Sequence, residues 1–313
     1  MLRYFTEVVR SGSIRKAATQ LHVAPTAVNR QILNLEEELG AALFERVRGT
    51  LRLTPVGEIV LEHARSTLRE FDGVCERIAA VQGLRQGEAT LATMPGLAVA
   101  FLPGLVHAFR AEHPGIRLKL SDFPVAGVLG SVRAGDSDLG LAYDVPDSAG
   151  FRVLFSSEWP IGAVVPPGHP LTRRATAMLS DCVGYPLILP APELSLRPLL
   201  DGAFARSAIR VTPALECSST AVIRQLVARG TGISLLNRLD IDEERRAGHL
   251  VFVPLRDAHP RPQTLRLICR PGFEINPAAE LLARRLMSGL EGLLAQGGTT
   301  AGAMTHPAAM GER

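Results

Sequence analysis

The chain has 313 residues, of which 46% are hydrophobic and 21% charged, and its formal net charge at pH 7 is +3. This length suits two or more domains with their own cores, and so small a net charge leaves only a local basic surface for a nucleic acid. The four cysteines lie far apart without CxxC spacing and the histidines form no HxH or HExxH cluster, which argues against a disulfide framework and a metal site. The longest apolar run is too short to span a bilayer and the first residues lack a signal-peptide core, so we expect a cytoplasmic protein without a membrane partner.

Two short helices are predicted within residues 14–39. Apolar residues repeat at helical spacing on both sides of a three-residue break, and Pro25 stands where the second helix begins, a position that tolerates proline. Two such helices joined by a short turn predict a helix-turn-helix. On the second helix Thr26, Asn29 and Arg30 share one outward face, which suits base edges and phosphates. From this stretch alone, an ordinary two-helix corner with a solvated polar face fits equally well.

A basic hairpin is predicted next, in the sequence FERVRGTLRLTPVG. Apolar residues flank a glycine turn there, which is typical of a two-stranded wing. Arg46, Arg48 and Arg52 lie in this segment with no acid between Arg46 and Arg52. A solvated loop is the alternative, but beside a helix-turn-helix these charges favour contact with DNA phosphates. We place the end of this first domain at residue 57.

Residues 58–87 are predicted to form one long linker helix. Its apolar residues repeat with a period of about 3.5, which is typical of a coiled-coil seam. The alternative is a helix that lies on its own domain, for which the period would drift toward 3.6. We favour a dimerisation helix. The predicted seam consists of Leu61, Ala64, Leu68, Phe71, Cys75 and Ile78.

From residue 88 onward, short strands and helices alternate. The strands ATLAT, IRLKL and LGLAY are separated by helices, the first of them over residues 97–115, and this order predicts a parallel sheet covered by helices. A second unit of the same kind follows, so we predict two lobes with a small-ligand crevice at the carboxyl ends of the strands. The predicted effector region spans 88–298, with lobe I at about 88–160 and 269–298, lobe II at about 161–268, and a disordered tail at 299–313.

Motifs of enzymes are missing from the sequence. The GTG at 230–232 follows a helix and precedes a strand, the reverse of the order that a dinucleotide loop needs. Neither lysine is preceded by glycine as in a P-loop, and there is no G-x-S-x-G elbow. We therefore predict no enzyme, no catalytic residue, no metal and no cofactor. A solute receptor for transport is a second alternative, but it would have a signal peptide and no basic winged helix. A repressor-like DNA binder without an effector is a third, and a ligand test separates it from a ligand-responsive regulator.

The stretch SGSIRKAATQLHVAPTAVNRQILNLEEELGAALFERVRGTLRLTPVG resembles the winged helix-turn-helix of LysR-type transcriptional regulators. FRAEHPGIRLKL, DLGLA, VPPGHPL and LVARGTGISLLN are similar to the effector domain of that family in order and spacing. The resemblance implies an α/β fold with an N-terminal winged helix-turn-helix, a long linker helix and a two-lobed effector domain like periplasmic binding proteins. It also implies a sequence-specific regulator that binds double-stranded promoter DNA as a homodimer or homotetramer and responds to a small-molecule effector. RNA polymerase is a further partner that the resemblance leaves open.

The candidate recognition helix departs from the family pattern. Ala24 stands where the family usually has a capping serine, which is expected to cost about 1 kcal/mol of local stability, partly offset if Thr26 supplies a hydroxyl. Asn29 replaces a serine, and its amide offers a bidentate contact to adenine, so the preferred site is expected to differ. The DNA-binding residues implied by the resemblance are Pro25, Thr26, Asn29, Arg30, Arg46, Arg48 and Arg52.

The effector crevice departs from the family as well. In LysR-type regulators that bind small carboxylates, hydroxyl and basic side chains at the strand ends hold the anion, and the aligned positions here are Gly96, Val125 and Tyr143. We therefore predict a mostly apolar or aromatic effector, anchored at one end by Ser219 and Tyr143. The alternative is that Met94 and Val125 merely pack the crevice. The predicted effector-binding residues are Thr93, Met94, Pro95, Gly96, Val125, Tyr143, Ser218 and Ser219.

Overall fold

The computed structural model describes residues 1–47, 50–81, 87–256, 260–272 and 274–296. Its contacts divide the chain into two compact units. The first unit comprises residues 1–86 and 133–136, and the second comprises residues 87–132 and 137–313. The predicted disordered tail at 299–313 lies outside the described residues. The predicted end of the linker helix at residue 87 is wrong, because Gly87 is the first residue of a strand.

The first unit is built on a small apolar core under short helices. Its elements are α1 (Leu2–Ser11), α2 (Ile14–Gln20), α3 (Pro25–Leu39), β1 (Phe44–Val47), β2 (Thr50–Leu53) and α4 (Pro55–Val81). The helix pair forms because α2 and α3 each turn an apolar face inward, where Ala17, Val28 and Ile32 are buried. The rings of Phe5 and Phe44 lie 5.4 Å apart between centroids and join α1 to the hairpin. The helix-turn-helix prediction is confirmed.

The predicted wing is an antiparallel hairpin. β1 pairs with β2 from Phe44 opposite Leu53 to Val47 opposite Thr50. The long helix α4 follows at once and begins at Pro55, earlier than the predicted residue 58, because proline fits the first turn of a helix. The wing prediction is confirmed, while its glycine turn lies outside the described residues.

The first turn of α4 is docked directly on the backbone before the wing. A Cβ at Gly57 would lie 2.2 Å from the carbonyl oxygen of Leu43, so only glycine permits this approach. The hydroxyl of Thr54 accepts from the Gly57 N–H at 3.0 Å and donates to the Ala42 carbonyl oxygen at 2.7 Å. These contacts fix the start of the helix to the chain segment that enters the hairpin.

The second unit consists of two lobes, each a five-stranded sheet with helices packed on it. Its strands are β3 (Gly87–Thr93), β4 (Ile116–Asp122), β5 (Leu139–Tyr143), β6 (Arg152–Trp159), β7 (Ile161–Val165), β8 (Leu187–Pro190), β9 (Leu215–Cys217), β10 (Ile233–Asn237), β11 (Val251–Pro254) and β12 (Gln263–Cys269). Its helices are α5 (Pro95–Ala100), α6 (Leu102–Glu112), α7 (Val125–Arg133), α8 (Leu179–Cys182), α9 (Leu196–Arg206), α10 (Thr220–Ala228), α11 (Asp242–Arg246) and α12 (Pro277–Ala295). The strand order is β4-β3-β5-β12-β6 in lobe I and β11-β7-β10-β8-β9 in lobe II.

Both sheets are mixed, which corrects the predicted parallel arrangement. In lobe I, β3 runs parallel to β4 and β5, whereas β12 runs antiparallel to β5 and β6. In lobe II, β10 is parallel to β8 and antiparallel to β7. Alternation of strands and helices predicts parallel neighbours within a β-α-β unit, but it does not set the direction of strands added where the chain crosses between lobes.

Two further predictions in this unit are corrected. The chain returns to lobe I at Gln263, where β12 begins, and not at residue 269. The predicted helix over 97–115 is two helices, α5 and α6, that meet at Phe101. The break occurs there because Pro103 has no N–H to donate and its ring disfavours helical geometry in the preceding residue.

Candidate functional site

The outward face of α3 carries polar side chains. Pro25, Thr26, Asn29 and Arg30 are exposed, while the apolar positions of the same helix face the core. Within the described part of the chain, the side chains of Thr26, Asn29 and Arg30 have no hydrogen bond or ion pair. Donors and acceptors that are fixed on a rigid helix and free of internal partners are suited to bind a ligand from outside the chain.

The start of α3 lacks a side-chain cap. Its N-cap residue is Ala24, and among the described residues no side chain bonds to the first turn, so the hydroxyl of Thr26 does not replace the missing serine. The turn before it places His22 at φ 54°, a left-handed conformation. The predicted loss of the cap is confirmed, and the first-turn N–H of Thr26 is left available to an anion.

The wing is described only in part. Arg52 is exposed on β2, opposite Glu45 in the ladder. Arg46 lies in β1, but its side chain is outside the described residues, and Arg48 lies outside them entirely. The predicted phosphate contacts of Arg46 and Arg48 therefore stay predictions.

Two further cations lie on α2, and the sequence-based prediction missed them. Arg15 and Lys16 are exposed, and within the described residues neither side chain has a hydrogen bond or ion pair. A sequence signal for these two cations is available: residues 8–35 contain no Asp or Glu that could neutralise them. The helix-turn-helix therefore has a positive local potential although the whole chain is nearly neutral.

The predicted seam of α4 divides into two parts. Ala64 is fully buried in the core of the first unit and Leu61 packs against that core, so this part of the helix lies on its own domain. Leu68 is partly buried, whereas Phe71 and Ile78 are 58% and 53% exposed. The side chain of Cys75 is outside the described residues. The part of the seam that is open to a second copy begins after Leu68.

The predicted effector residues of lobe I do come together. The parallel pairing of β3 with β4 and β5 places their carboxyl ends at one edge, so Thr93, Val125 and Tyr143 lie at neighbouring strand ends. The buried Thr93 hydroxyl donates to the Leu141 carbonyl oxygen at 3.2 Å. The sulfur of Met94 accepts from the Tyr143 N–H at 3.3 Å. Thr93 and Met94 thus hold the strand ends in place.

The predicted effector residues of lobe II lie between β9 and α10. Ser219 is the N-cap of α10, and its Oγ accepts from the Val222 N–H at 3.4 Å. Ser218 is exposed. A Cβ added to Gly96 of lobe I would lie 3.1 Å from the Thr220 hydroxyl, so the two lobes touch directly at that point.

A buried chain of hydrogen bonds joins the two edges. The hydroxyl of Tyr143 donates to Asn237 Oδ1 at 3.1 Å, and the amide of Asn237 donates to Gln263 Oε1 at 3.0 Å. Gln263 Nε2 in turn donates to Asp144 Oδ2 at 3.0 Å. Tyr143 is 3% exposed, so its hydroxyl is used inside the protein. The sequence-based prediction includes Tyr143 but neither Asn237 nor Gln263.

Asp240 lies beside this chain of bonds and is 5% exposed. Burial raises the pKa of its carboxyl to about 7, against the opposing charge of Arg224. Burial and the charge of Asp240 raise the pKa of Tyr143 well above its usual range. Arg224 Nη1 donates to the Asp240 carbonyl oxygen at 3.0 Å and pairs with Glu244 at 2.9 Å. The lobe contact therefore contains a carboxyl group that titrates near neutral pH.

Two family models match the chain. Residues 1–58 match the model described as "Bacterial regulatory helix-turn-helix protein, lysR family", and residues 82–291 match the model described as "LysR substrate binding domain". The chain belongs to the LysR family of transcriptional regulators. This LysR-type chain is 33% identical to the transcriptional dual regulator GltC of Bacillus subtilis over 239 residues, which cover 75% of this chain and 79% of GltC.

Solved structures of LysR-type proteins have the same fold. A full-length OxyR variant from Pseudomonas aeruginosa aligns with a TM-score of 0.70 at 23% identity, covering 91% of this chain and 93% of OxyR. Full-length CbnR in complex with its target DNA aligns with a TM-score of 0.60 at 23% identity, covering 92% of this chain and 98% of CbnR. The predicted fold class is confirmed.

Family membership establishes what kind of protein this is. As a LysR-type regulator it is a DNA-binding transcriptional regulator with an effector-binding domain, it acts on promoter DNA as an oligomer, and it is not an enzyme. Among the described residues, no helix combines the length and the apolar character needed to cross a membrane.

Proposed function

We propose that this LysR-type regulator reads promoter DNA with the exposed face of α3. Asn29 and Arg30 contact base edges, since Asn pairs with adenine and Arg with guanine. Pro25 and Thr26 lie against the DNA backbone, where the free N–H of Thr26 and the dipole of the helix start favour a phosphate. The observation that carries this proposal is a polar helix face that is exposed and has no partner among the described residues.

Phosphate contacts come from two basic groups in the same unit. The wing supplies Arg46, Arg48 and Arg52, and α2 supplies Arg15 and Lys16. Such contacts set the position of the protein on the duplex and carry no base information. A regulator that acts on promoter DNA works where the chromosome lies, so we place the protein in the cytoplasm, with RNA polymerase as a candidate further partner.

Replacement of Asn29 by serine tests the reading of bases. Promoter fragments are first identified by genome-wide mapping of bound DNA and are then varied one base pair at a time in fluorescence anisotropy. We expect Asn29→Ser to change the preferred base at one position of each half-site and to leave affinity for unrelated DNA unaltered. An unchanged base preference would show that Asn29 does not read the DNA.

We propose that the exposed stripe of α4 pairs two copies of the chain. Phe71, Val74 and Ile78 are 58%, 41% and 53% exposed, and their spacing places them on one face of the helix. Burial of this stripe against a second copy favours association, either as a homodimer or as the pair from which a homotetramer is built. Such a pair would place two α3 helices on half-sites separated by whole turns of DNA.

Charges introduced into the stripe test this pairing. In sedimentation velocity, we expect Phe71→Asp combined with Ile78→Asp to yield monomers, because two carboxylates would be desolvated in the interface. Ile59→Asp is the matched control, since Ile59 is 70% exposed on a different face of the same helix. Assembly that survives the double substitution would mean that the second unit holds the oligomer together.

We propose that the effector binds at the carboxyl edges of the two lobes and is mostly apolar or aromatic. Met94, Pro95, Phe123 and Val125 offer it apolar surface, and Phe123 is 36% exposed. The polar anchor lies on the Ser218–Ser219 side, because the Tyr143 hydroxyl is buried against Asn237. Tyr143 then forms the floor of the site through its ring, together with Thr93 and Gly96.

Thermal-shift measurements with matched libraries of neutral aromatics and aliphatic acids test the effector class. We expect stabilisation by the aromatics, loss of that response in Ser219→Ala, and a shift of preference toward carboxylates in Val125→Ser, which restores a hydroxyl. Val222→Ala is the control, because it removes exposed apolar surface from α10 and keeps the Ser219 hydroxyl. Strong binding of a small dicarboxylate that is unaffected by Ser219→Ala contradicts the proposal.

A further inference from the structure

Three arginines lie close to the carboxylate of Asp242 in the segment that follows β10. Arg238 precedes the 3-10 turn Leu239–Ile241, and Arg245 and Arg246 lie on α11, which starts at Asp242. Asp242 Oδ1 pairs with Arg245 Nη2 at 2.9 Å, and Asp242 Oδ2 pairs with Arg246 Nε at 2.8 Å. Both oxygens of the carboxylate are therefore occupied. We call these four residues the arginine cluster.

Arg238 is the member of the arginine cluster that lacks a partner. It is 8% exposed, and within the described residues its guanidinium has no hydrogen bond or ion pair. The Nε of Arg245 is also buried without a partner in that part of the chain. The guanidinium nitrogens of Arg238 keep some contact with solvent, but a side chain this buried loses most of its hydration without a hydrogen bond in return. The cluster thus holds unused donors at two of its arginines.

The charges in the arginine cluster do not balance. The charges that act on Arg238 are those of Arg245, Arg246 and Asp242, so these four residues together carry an excess of two positive charges. Two further carboxylates lie on α11: Glu244 pairs with Arg224, and Glu243 is exposed. Burial lowers the pKa of Arg238, the charges of Arg245 and Arg246 lower it further, and Asp242 opposes them. A dianion would neutralise this excess. The planar fork of arginine donates two parallel hydrogen bonds, which match two oxygens of a phosphate better than they match a spherical ion such as chloride.

The arginine cluster lies where the chain crosses between the two lobes. The N–H of Arg238 donates to the carbonyl oxygen of Pro160 at 3.3 Å, and Pro160 lies where the chain passes from lobe I strand β6 to lobe II strand β7. Arg246 Nη2 donates to Gln296 Oε1 at 3.1 Å, just after α12 of lobe I. The cluster therefore touches both lobes at the place where the chain crosses between them.

We propose that the arginine cluster binds a phosphate group, either free inorganic phosphate or the phosphate monoester of a metabolite, at the crossing between the lobes. Arg238 and Arg245 donate to the phosphate oxygens, and Arg246 neutralises charge at the exposed edge. The bound dianion links Arg238, next to β10 of lobe II, to Arg246, which is hydrogen-bonded to Gln296 just after α12 of lobe I. Such a ligand adds a second input to the regulator, independent of the molecule in the crevice.

Thermal unfolding of the full chain under titration with inorganic phosphate, at constant ionic strength set by chloride, tests this site. We expect a saturable rise in Tm for the native protein. Arg238→Gln should bind phosphate at least tenfold more weakly and, without phosphate, should melt no lower than the native protein, because it removes an uncompensated charge. If Arg238 served only to stabilise the fold, Arg238→Gln would instead lower the Tm in every buffer. The same titration with glycerol phosphate distinguishes a phosphate monoester from the free ion, because the natural kind of ligand should bind more tightly.

Two controls and a second test keep the outcome decisive. Arg210→Gln removes an exposed charge from the same unit and should keep the phosphate response. Arg30→Ala should also keep it, which separates the arginine cluster from the basic surface of the first unit. Arg246→Gln changes a side chain that is 52% exposed and is the second test if Arg238→Gln does not fold. A response that is absent in the native protein, equalled by chloride, or retained in Arg238→Gln and Arg246→Gln overturns the proposal.

Discussion

The polar groups of α3 and those at the lobe contact differ in where their partners lie. On α3, Asn29 and Arg30 are exposed and have no partner among the described residues. At the lobe contact, Tyr143, Asn237 and Gln263 are buried and bonded to one another. The first arrangement leaves hydrogen bonds for a molecule outside the chain, whereas the second uses them to fix one arrangement of two lobes. Exposure and internal bonding therefore separate a recognition surface from a positioning network.

The largest effect is expected from Asn237→Leu. It removes one side chain from the buried network and leaves the Tyr143 hydroxyl, the Gln263 amide and the Asp240 N–H without their partner. We expect a loss of about 3 kcal/mol in the stability of the second unit, measured by thermal unfolding. Tyr143→Phe removes only one donor and should cost less. If Asn237→Leu costs no more than Tyr143→Phe, the bonds do not act as a network.

Arg30→Ala tests the other side of the comparison. We expect no change in Tm and a loss of about 2 kcal/mol in binding of the specific promoter site, which is about 30-fold. Lys16→Ala should weaken specific and unrelated DNA alike and reduce the salt dependence, because it removes a phosphate contact. Anisotropy against salt concentration measures both. An unchanged specific affinity in Arg30→Ala would remove this arginine from the recognition surface.

The pH dependence of stability tests whether the buried network holds a titrating carboxyl. The pKa of Asp240 is raised to about 7 in the folded protein, so the fold binds a proton that the unfolded chain releases near its ordinary value. Stability from this group is present at acid pH and is lost as the pH rises toward 7. Between pH 5 and pH 7 we expect the native protein to lose about 2 kcal/mol relative to Asp240→Asn, which stays neutral. Parallel pH profiles of the two proteins would contradict this assignment.

The smallest effect is expected from Ala24→Ser. A serine at the N-cap accepts from an N–H of the first turn, which should stabilise the first unit by about 1 kcal/mol. Ala27→Ser is the control, since the same hydroxyl inside the helix should bring no gain. Thermal unfolding compares the two. The added cap also competes with a DNA phosphate for the same N–H group, so affinity for DNA should not rise with stability.

The sequence predicts those features that depend on neighbouring residues. The helix pair, the wing and the missing cap at Ala24 follow from spacing and turn residues within a short stretch. The bond from Tyr143 to Asn237 joins residues 94 positions apart, and no local pattern indicates that this hydroxyl is already used. The antiparallel direction of β12 escapes prediction for the same reason, because it depends on where the chain re-enters lobe I.

The close approach at Gly57 has a mechanical consequence. Since no side chain separates the first turn of α4 from the backbone at Leu43, the helix has little freedom to pivot against the wing. The helix has 27 residues and is ~40 Å long at the usual rise per residue. A tilt of about 5° at its start displaces its far end by roughly 3 Å, and the reverse holds for a push applied at the far end. The helix and the wing are therefore coupled rigidly at Gly57, so a displacement at the far end of the helix rotates the wing with it.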